Sequence, residues 1–190
     1  RDVYKRQTTL SVRNGTLQTD GAALASGATV NVGANGAFDV LIGNETIREL
    51  QQTGGTVSGR TGTTVNISGH YNQTDGTTGR NITLNAGTFT QKRGVIAKDT
   101  TVNVAGKTIL SGGEINGVLN LSGDASVLQD SKTTVRGELS ASAPATLTVK
   151  DTLAFDRATS RNVSYNLEGG VISAIADMLL STGTISLLSG

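Results

Sequence analysis

An apolar–polar–apolar triplet, usually preceded by Thr or Asn and followed by Gly, recurs along the chain and constrains the fold more than any other feature. Its copies are TLSV at Thr9–Val12, TVNV at Thr29–Val32, TVNI at Thr64–Ile67, NITL at Asn81–Leu84 and TVNV at Thr101–Val104. VLNL at Val118–Leu121, TLTV at Thr146–Val149, NVSY at Asn162–Tyr165 and TISL at Thr184–Leu187 complete the series. First apolar positions fall at 10, 30, 65, 82, 102, 119, 147, 163 and 185, giving steps of 20, 35, 17, 20, 17, 28, 16 and 22 residues. The step of 35 reads as two units with a degraded middle copy, and Val135 in TTVRG supplies an intermediate within the step of 28.

Period-two alternation in β-branched residues predicts a short strand with one buried face. A glycine follows each of six copies, at Gly15, Gly36, Gly69, Gly87, Gly106 and Gly123, and is expected to turn the chain at positive φ. Two residues beyond several of these glycines stands another large apolar side chain, Leu17, Phe38, Tyr71 or Phe89, which marks a second strand. Three strands of ~4–5 residues with their turns fill roughly 20 residues, the size of one rung of a parallel β-solenoid. The predicted fold is therefore all-β: a parallel β-helix of about nine rungs with three short strands per rung, stacked at ~4.8 Å. An antiparallel sandwich would show short strands too, but its core leans on aromatic residues, and this chain has no Trp, three Phe and three Tyr. Two segments with some helical character, Glu45–Gln52 and Ile172–Leu180, are expected to be irregular strands because the flanking pattern is β.

Composition then narrows the functional classes. Gly, Thr, Ser and Asn make up 82 of the 190 residues, charged residues only 16%, and the net charge is +1. Disorder is disfavoured by that small net charge together with regularly placed aliphatics. A disulfide scaffold is excluded by the absence of Cys, and no apolar run approaches the ~18–20 residues of a membrane helix. The first seven residues, RDVYKRQ (Arg1–Gln7), hold four charges and differ in composition from residues 8–190, so they read as a non-native stub. Residues 8–190 read as a solenoid fragment that continues beyond both ends in a longer protein, with open strand edges prone to self-association.

Two stretches resemble a known family. GNETIRELQQTGGTVSG (Gly43–Gly59) resembles the autotransporter-associated β-strand repeat, in which a TI-x-x-L core precedes a glycine pair and a valine strand. GHYNQTDGTT (Gly69–Thr78) followed by NAGTFTQ (Asn85–Gln91) resembles the same repeat, with aromatic-x-Gln recurring 18 residues apart at Tyr71/Gln73 and Phe89/Gln91. The resemblance implies a right-handed β-helix in the secreted passenger of a Gram-negative autotransporter or related adhesin. It also implies display on the outer-membrane surface, with a translocator barrel elsewhere in the parent chain. The lack of Cys agrees with it, because a periplasmic disulfide would hinder export of an unfolded passenger.

No catalytic, cofactor-binding or metal-binding residue is predicted. His70 is the one histidine, lies beside a corner glycine and reads as a solvated turn residue, and no GxSxG-type nucleophile turn is present. The fifteen acids are scattered, mostly at turns such as Asp20-Gly21, Asp75-Gly76 and Asp124 after Gly123. Asp130 and Asp151 are the carboxylates one rung apart that an active site would bring together, and Asp124 with Asp130 the pair that would bracket a calcium ion. Nucleic acid is not an expected partner, since Lys92-Arg93 is an isolated basic pair. The patterned polar feature is an outward ladder in which Thr64/Asn66, Thr29/Asn31, Asn81/Thr83, Thr101/Asn103 and Thr146/Thr148 stack. It reads first as a solvated sheet face with Thr for β-propensity and Asn for ladder hydrogen bonds, and alternatively as a weak polyvalent contact surface for a neighbouring rod or for host or bacterial glycans or proteins. A structural and adhesive spacer is the leading expectation; a fragment of a polysaccharide-acting β-helix enzyme or phage tail-spike is the alternative.

Overall fold

The computed structural model describes residues 8–121 and 127–187. Within them nineteen strands form one continuous sheet in which every pairing is parallel, and no helix occurs. The chain is a β-solenoid of about nine turns with three faces, each strand pairing with its counterpart one turn before and one turn after. Face A runs through 44–47, 64–67, 83–86, 101–104, 118–121, 138–141, 159–161 and 179–181. Face B runs through Leu10, Val30, Leu50, Tyr71, Phe89, Thr108, Val127, Leu147, Tyr165 and Ile185 in strict register. Face C runs through Leu17, Phe38, Val57, Thr78, Ile96, Ile115, Val135, Phe155 and Ala174. Nine steps along face B at ~4.8 Å make a rod on the order of 43 Å long.

This register corrects the expected single column. Val30 belongs to face B and Val65 to face A, so the step of 35 between them crosses from one face to another. The face B copy after Val30 is Leu50, in the segment read as degraded, and the next is Tyr71. Likewise Leu119 is on face A and Leu147 on face B, while Val135 lies on face C between Ile115 and Phe155. Leu17 and Phe38 stack on face C, but Tyr71 and Phe89 stack on face B. The segments 45–52 and 172–180 are strand and bend, as their surroundings predict.

Alternation along each strand sends one set of side chains inward. Leu84, Val102, Leu119 and Leu139 form one buried row on face A, and Ile96, Ile115, Val135 and Phe155 another on face C. Each such side chain contributes ~1.5–3 kcal/mol when fully buried. No turn buries its inner face alone, so stability accrues with neighbours. At the start of face A the inward row begins with a carboxylate: Glu45 is fully buried, and it accepts the backbone N–H groups of Ala23 at 3.1 Å and Leu24 at 3.2 Å. At the other end Ile185 and Leu187 continue the inward column of face B but are 49% and 82% exposed.

Glycine serves two distinct purposes at the corners. Gly15 has φ +81°, as a turning residue should. Gly69, Gly87 and Gly106 have no positive φ; a Cβ on each would come within 2.9, 2.7 and 2.7 Å of a carbonyl oxygen one turn earlier. These glycines are required by close axial approach of stacked backbone, a correction to the corner role expected of them. Positive φ recurs at the corner between faces B and C, where Gly55, Gly76, Gly94 and Gly113 have φ of 60°, 89°, 90° and 91°, and at the corner between faces C and A, where Gly43 and Gly62 have φ of 73° and 84°. Gly123 lies outside the described residues, as do Arg1–Gln7.

Candidate contact faces and a cleft on face C

The outward ladder exists, in a form narrower than the sequence indicates. On face A, Thr64, Thr83 and Thr101 stack in register, and beside them Asn66, Asn85, Asn103 and Asn120 form an amide row. Asn85 Nδ2 donates to Asn66 Oδ1 at 2.8 Å, Asn103 to Asn85 at 2.8 Å and Asn120 to Asn103 at 3.3 Å. Each amide within the row therefore spends one donor and one acceptor on its neighbours, which aligns adjacent turns. The other expected members lie elsewhere. Thr29/Asn31 and Thr146/Thr148 are on face B, Thr29 is buried, and Asn81 sits in a corner at φ +56°.

A second polar ladder runs inside the rod, where the sequence predicts only aliphatic side chains. Gln52, Gln73, Gln91 and Gln129 are fully buried on face B, the first three in direct register. Each Nε2 reaches the face C backbone: Gln52 donates to Gly55 O and Thr77 O, Gln73 to Gly76 O and Val95 O, Gln91 to Gly94 O and Glu114 O, at 3.1–3.4 Å. Gln129 donates to Thr152 O at 3.3 Å. Gln91 also donates to Gln73 Oε1 at 3.0 Å. Tyr71 lies over Phe89 with ring centroids 4.9 Å apart, and its hydroxyl joins Gln52 and Thr78. Burial raises the Tyr71 phenol well above its ordinary pKa, and it pushes Tyr165, bonded to Ser160, up to about 12. The aromatic-x-Gln spacing is the visible signal of this ladder.

The titratable candidates each engage in local bonds. His70 is half-buried, with Nδ1 2.7 Å from Thr88 Oγ1, rather than a freely solvated turn residue. Partial burial lowers its pKa, and the nearby Glu49 carboxylate opposes that shift. Asp130 accepts the Ser111 hydroxyl, while Asp151 accepts its neighbour's Thr152 N–H at 2.6 Å, so the two carboxylates serve separate local bonds. Asp75 caps Gly76 N at 2.8 Å, as a turn aspartate does. Asp124 lies outside the described residues. Among the described residues no group of three His, Cys, Asp or Glu is placed to hold a metal, and no helix is long and apolar enough to cross a membrane. Lys92 and Arg93 are exposed at the corner after Gln91.

A concave feature lies on face C, where the sequence marks no site. Its outward rows are Thr16, Ala37, Thr56 and Thr77, and beside them Gln18, Asp39, Ser58, Gly79 and Ala97. Small side chains at Ala37, Gly79 and Ala97 leave a cleft of about 390 Å³, walled by Gln18, Asp39 and Arg80. A second depression of about 590 Å³ adjoins it and shares Gln18, Asp39 and Arg80, adding Arg60 and Asn81. Ser58 Oγ donates to Asp39 Oδ1 at 2.8 Å, and Gln18 Nε2 to Oδ2 at 3.5 Å, which fixes the carboxylate across three turns. Arg80 and Asn81 hold consecutive positive φ values of 61° and 56°, turning the Arg80 side chain out at the rim. Compared with known proteins, the chain matches no family model, no curated protein and no solved structure.

Proposed function

We propose that this chain is a structural and adhesive segment of an exported, surface-displayed passenger, a stiff spacer that also offers contact faces. The observation that supports it most is the unbroken register of ten face B strands. A stack in which every turn is hydrogen-bonded to the next resists bending and can lengthen or shorten by whole turns. A β-solenoid fits adhesin, spacer and tail-spike-like roles in general. The autotransporter reading rests on the repeat resemblance in Gly43–Gly59 and Gly69–Gln91 and on the absence of Cys, which suits export of an unfolded chain.

The test is excision of one turn. Deleting residues 83–100 joins two face A strands in register and shortens the rod by ~4.8 Å. Fused to a translocator barrel in a Gram-negative host, both the full chain and the shortened one are expected to reach the surface, fold and support cell adhesion. Failure of the full chain to be displayed, or display without adhesion, overturns the reading. The alternative, a polysaccharide-acting solenoid enzyme, draws on the face C cleft with Asp39 and Arg80. Release of reducing ends from polysaccharide, abolished by Asp39→Asn, would establish that alternative instead.

A further inference from the structure

The face C cleft combines shape with charge. It is concave, it crosses several turns, and Gln18, Asp39 and Arg80 border both of its lobes. Some basic side chains pair with acids on adjacent turns, Arg136 with Glu114 at 2.8 Å and Asp156 at 3.1 Å and Lys150 with Glu168 at 3.4 Å. Arg60 and Arg80 border the same cleft as Asp39, yet no ion pair among the described residues engages either guanidinium. We propose that this cleft binds an acidic saccharide laid along the rod axis, its carboxylate on Arg60 and Arg80 and its hydroxyls on Gln18, Asp39 and Ser58.

The chemistry of the walls selects that class. A guanidinium presents a planar fork that matches a carboxylate, and two of them on successive corners suit a chain with regularly spaced acid groups. Thr16, Thr56 and Thr77 line the floor with hydroxyls, so a polyhydroxylated ligand finds donors and acceptors along its length. An extended peptide is a poor fit. The face C backbone is already paired with the turns on both sides, which leaves no edge for strand addition. No aromatic platform is present, so a single site binds weakly, and retention depends on several sites or chains acting together.

This inference deepens the contact-surface reading, and its test is separate from the display assay. Backbone amide NMR of the full chain is followed while hexagalacturonate is added, with maltohexaose and sodium sulfate as parallel titrants. Hexagalacturonate is expected to shift the amides of Gln18, Asp39, Ser58, Gly79 and Arg80, with little response to either other titrant. Arg80→Asn keeps a residue that accepts positive φ and should weaken binding by about tenfold or more, the loss of one charge-assisted contact. Arg60→Gln should weaken it likewise, and Thr56→Tyr should block the cleft while leaving the unfolding midpoint unchanged. Shifts confined to other faces, equal response to maltohexaose or sulfate, or full binding by both arginine variants overturns the proposal.

Discussion

The Tyr71 hydroxyl donates to Gln52 Oε1 at 2.8 Å across one turn of the solenoid, with both side chains fully buried. Gln52 Oε1 also accepts the Thr78 hydroxyl at 2.8 Å, so this one oxygen ties face B of two turns to face C. Tyr71→Phe leaves Thr78 on that acceptor and is expected to cost about 1 kcal/mol, the net worth of one hydrogen bond. Gln52→Leu removes the shared acceptor of two buried hydroxyls, which keep only their bond to each other, and frees Gly55 O and Thr77 O, and is expected to cost about 3 kcal/mol. In the double variant the losses should add to less than their sum. Urea unfolding of the four proteins measures this; strict additivity would mean the network is not coupled.

That network also shows why the fold was legible and its interior was not. Short strands announce themselves because alternation has period two wherever one face is buried. Which face a strand occupies does not show, because the vocabularies coincide. The same tetrapeptide, TVNV, lies on face B at Thr29–Val32 and on face A at Thr101–Val104. Gln73 and Gln91 are polar by composition and buried by position, and only their recurrence two residues after an aromatic hints at it. The cleft had no local signal at all. Gln18, Asp39, Arg60 and Arg80 are each about one turn apart in sequence, and only the register brings them together.

Gly62 and Gly76 have nearly the same φ, +84° and +89°, but different surroundings. A Cβ at Gly62 meets nothing within 4 Å, whereas at Gly76 it falls 2.5 Å from Gly54 C and 2.6 Å from Gly55 O. Gly62→Ala should therefore cost only the conformational strain, ~1–2 kcal/mol. Gly76→Ala adds a forced backbone shift, and the total should reach roughly 2–5 kcal/mol. Comparable unfolding midpoints for the two variants would refute the close-approach account.

His70 is the single histidine, so its titration can be read without assignment ambiguity. Its folded pKa is lowered from the ordinary 6.5, chiefly by burial. Between the folded value and 6.5 the unfolded chain binds more protons, so stability rises with pH in that window. The contribution is fully present above 6.5 and is lost as pH falls through the folded value. Imidazole NMR should give a midpoint below 6.5, and Glu49→Gln should lower it further by removing the opposing charge. A midpoint above 6.5 would contradict the burial argument.

Glu45 holds the first turn of face A closed through two backbone N–H groups. Glu45→Ala leaves both donors without their acceptor at a buried site and is expected to cost ~2–4 kcal/mol. The effect should be local before it is global, because the turns beyond keep their own ladders. Amide hydrogen exchange at Ala23 and Leu24 is expected to accelerate well before exchange at Leu84 or Val102. Uniform acceleration along the rod would show that Glu45 acts on overall stability instead of on the cap.

Ile185 and Leu187 occupy the positions that Tyr165 and Leu167 fill one turn earlier, yet both stand exposed, as do Val171, Ile175 and Leu179. Parallel strands with unpaired backbone and an apolar inner row form a template for another strand. The 190-residue polypeptide in isolation is therefore expected to self-associate with rising concentration, and Ile185→Lys with Leu187→Lys should suppress it. The substitutions face a side already open to solvent, so they should leave the unfolding midpoint of the preceding turns within a few degrees. Sedimentation velocity distinguishes the outcomes. A monomer at all concentrations, or association untouched by both lysines, would mean that this end is not the adhesive edge its exposed side chains describe.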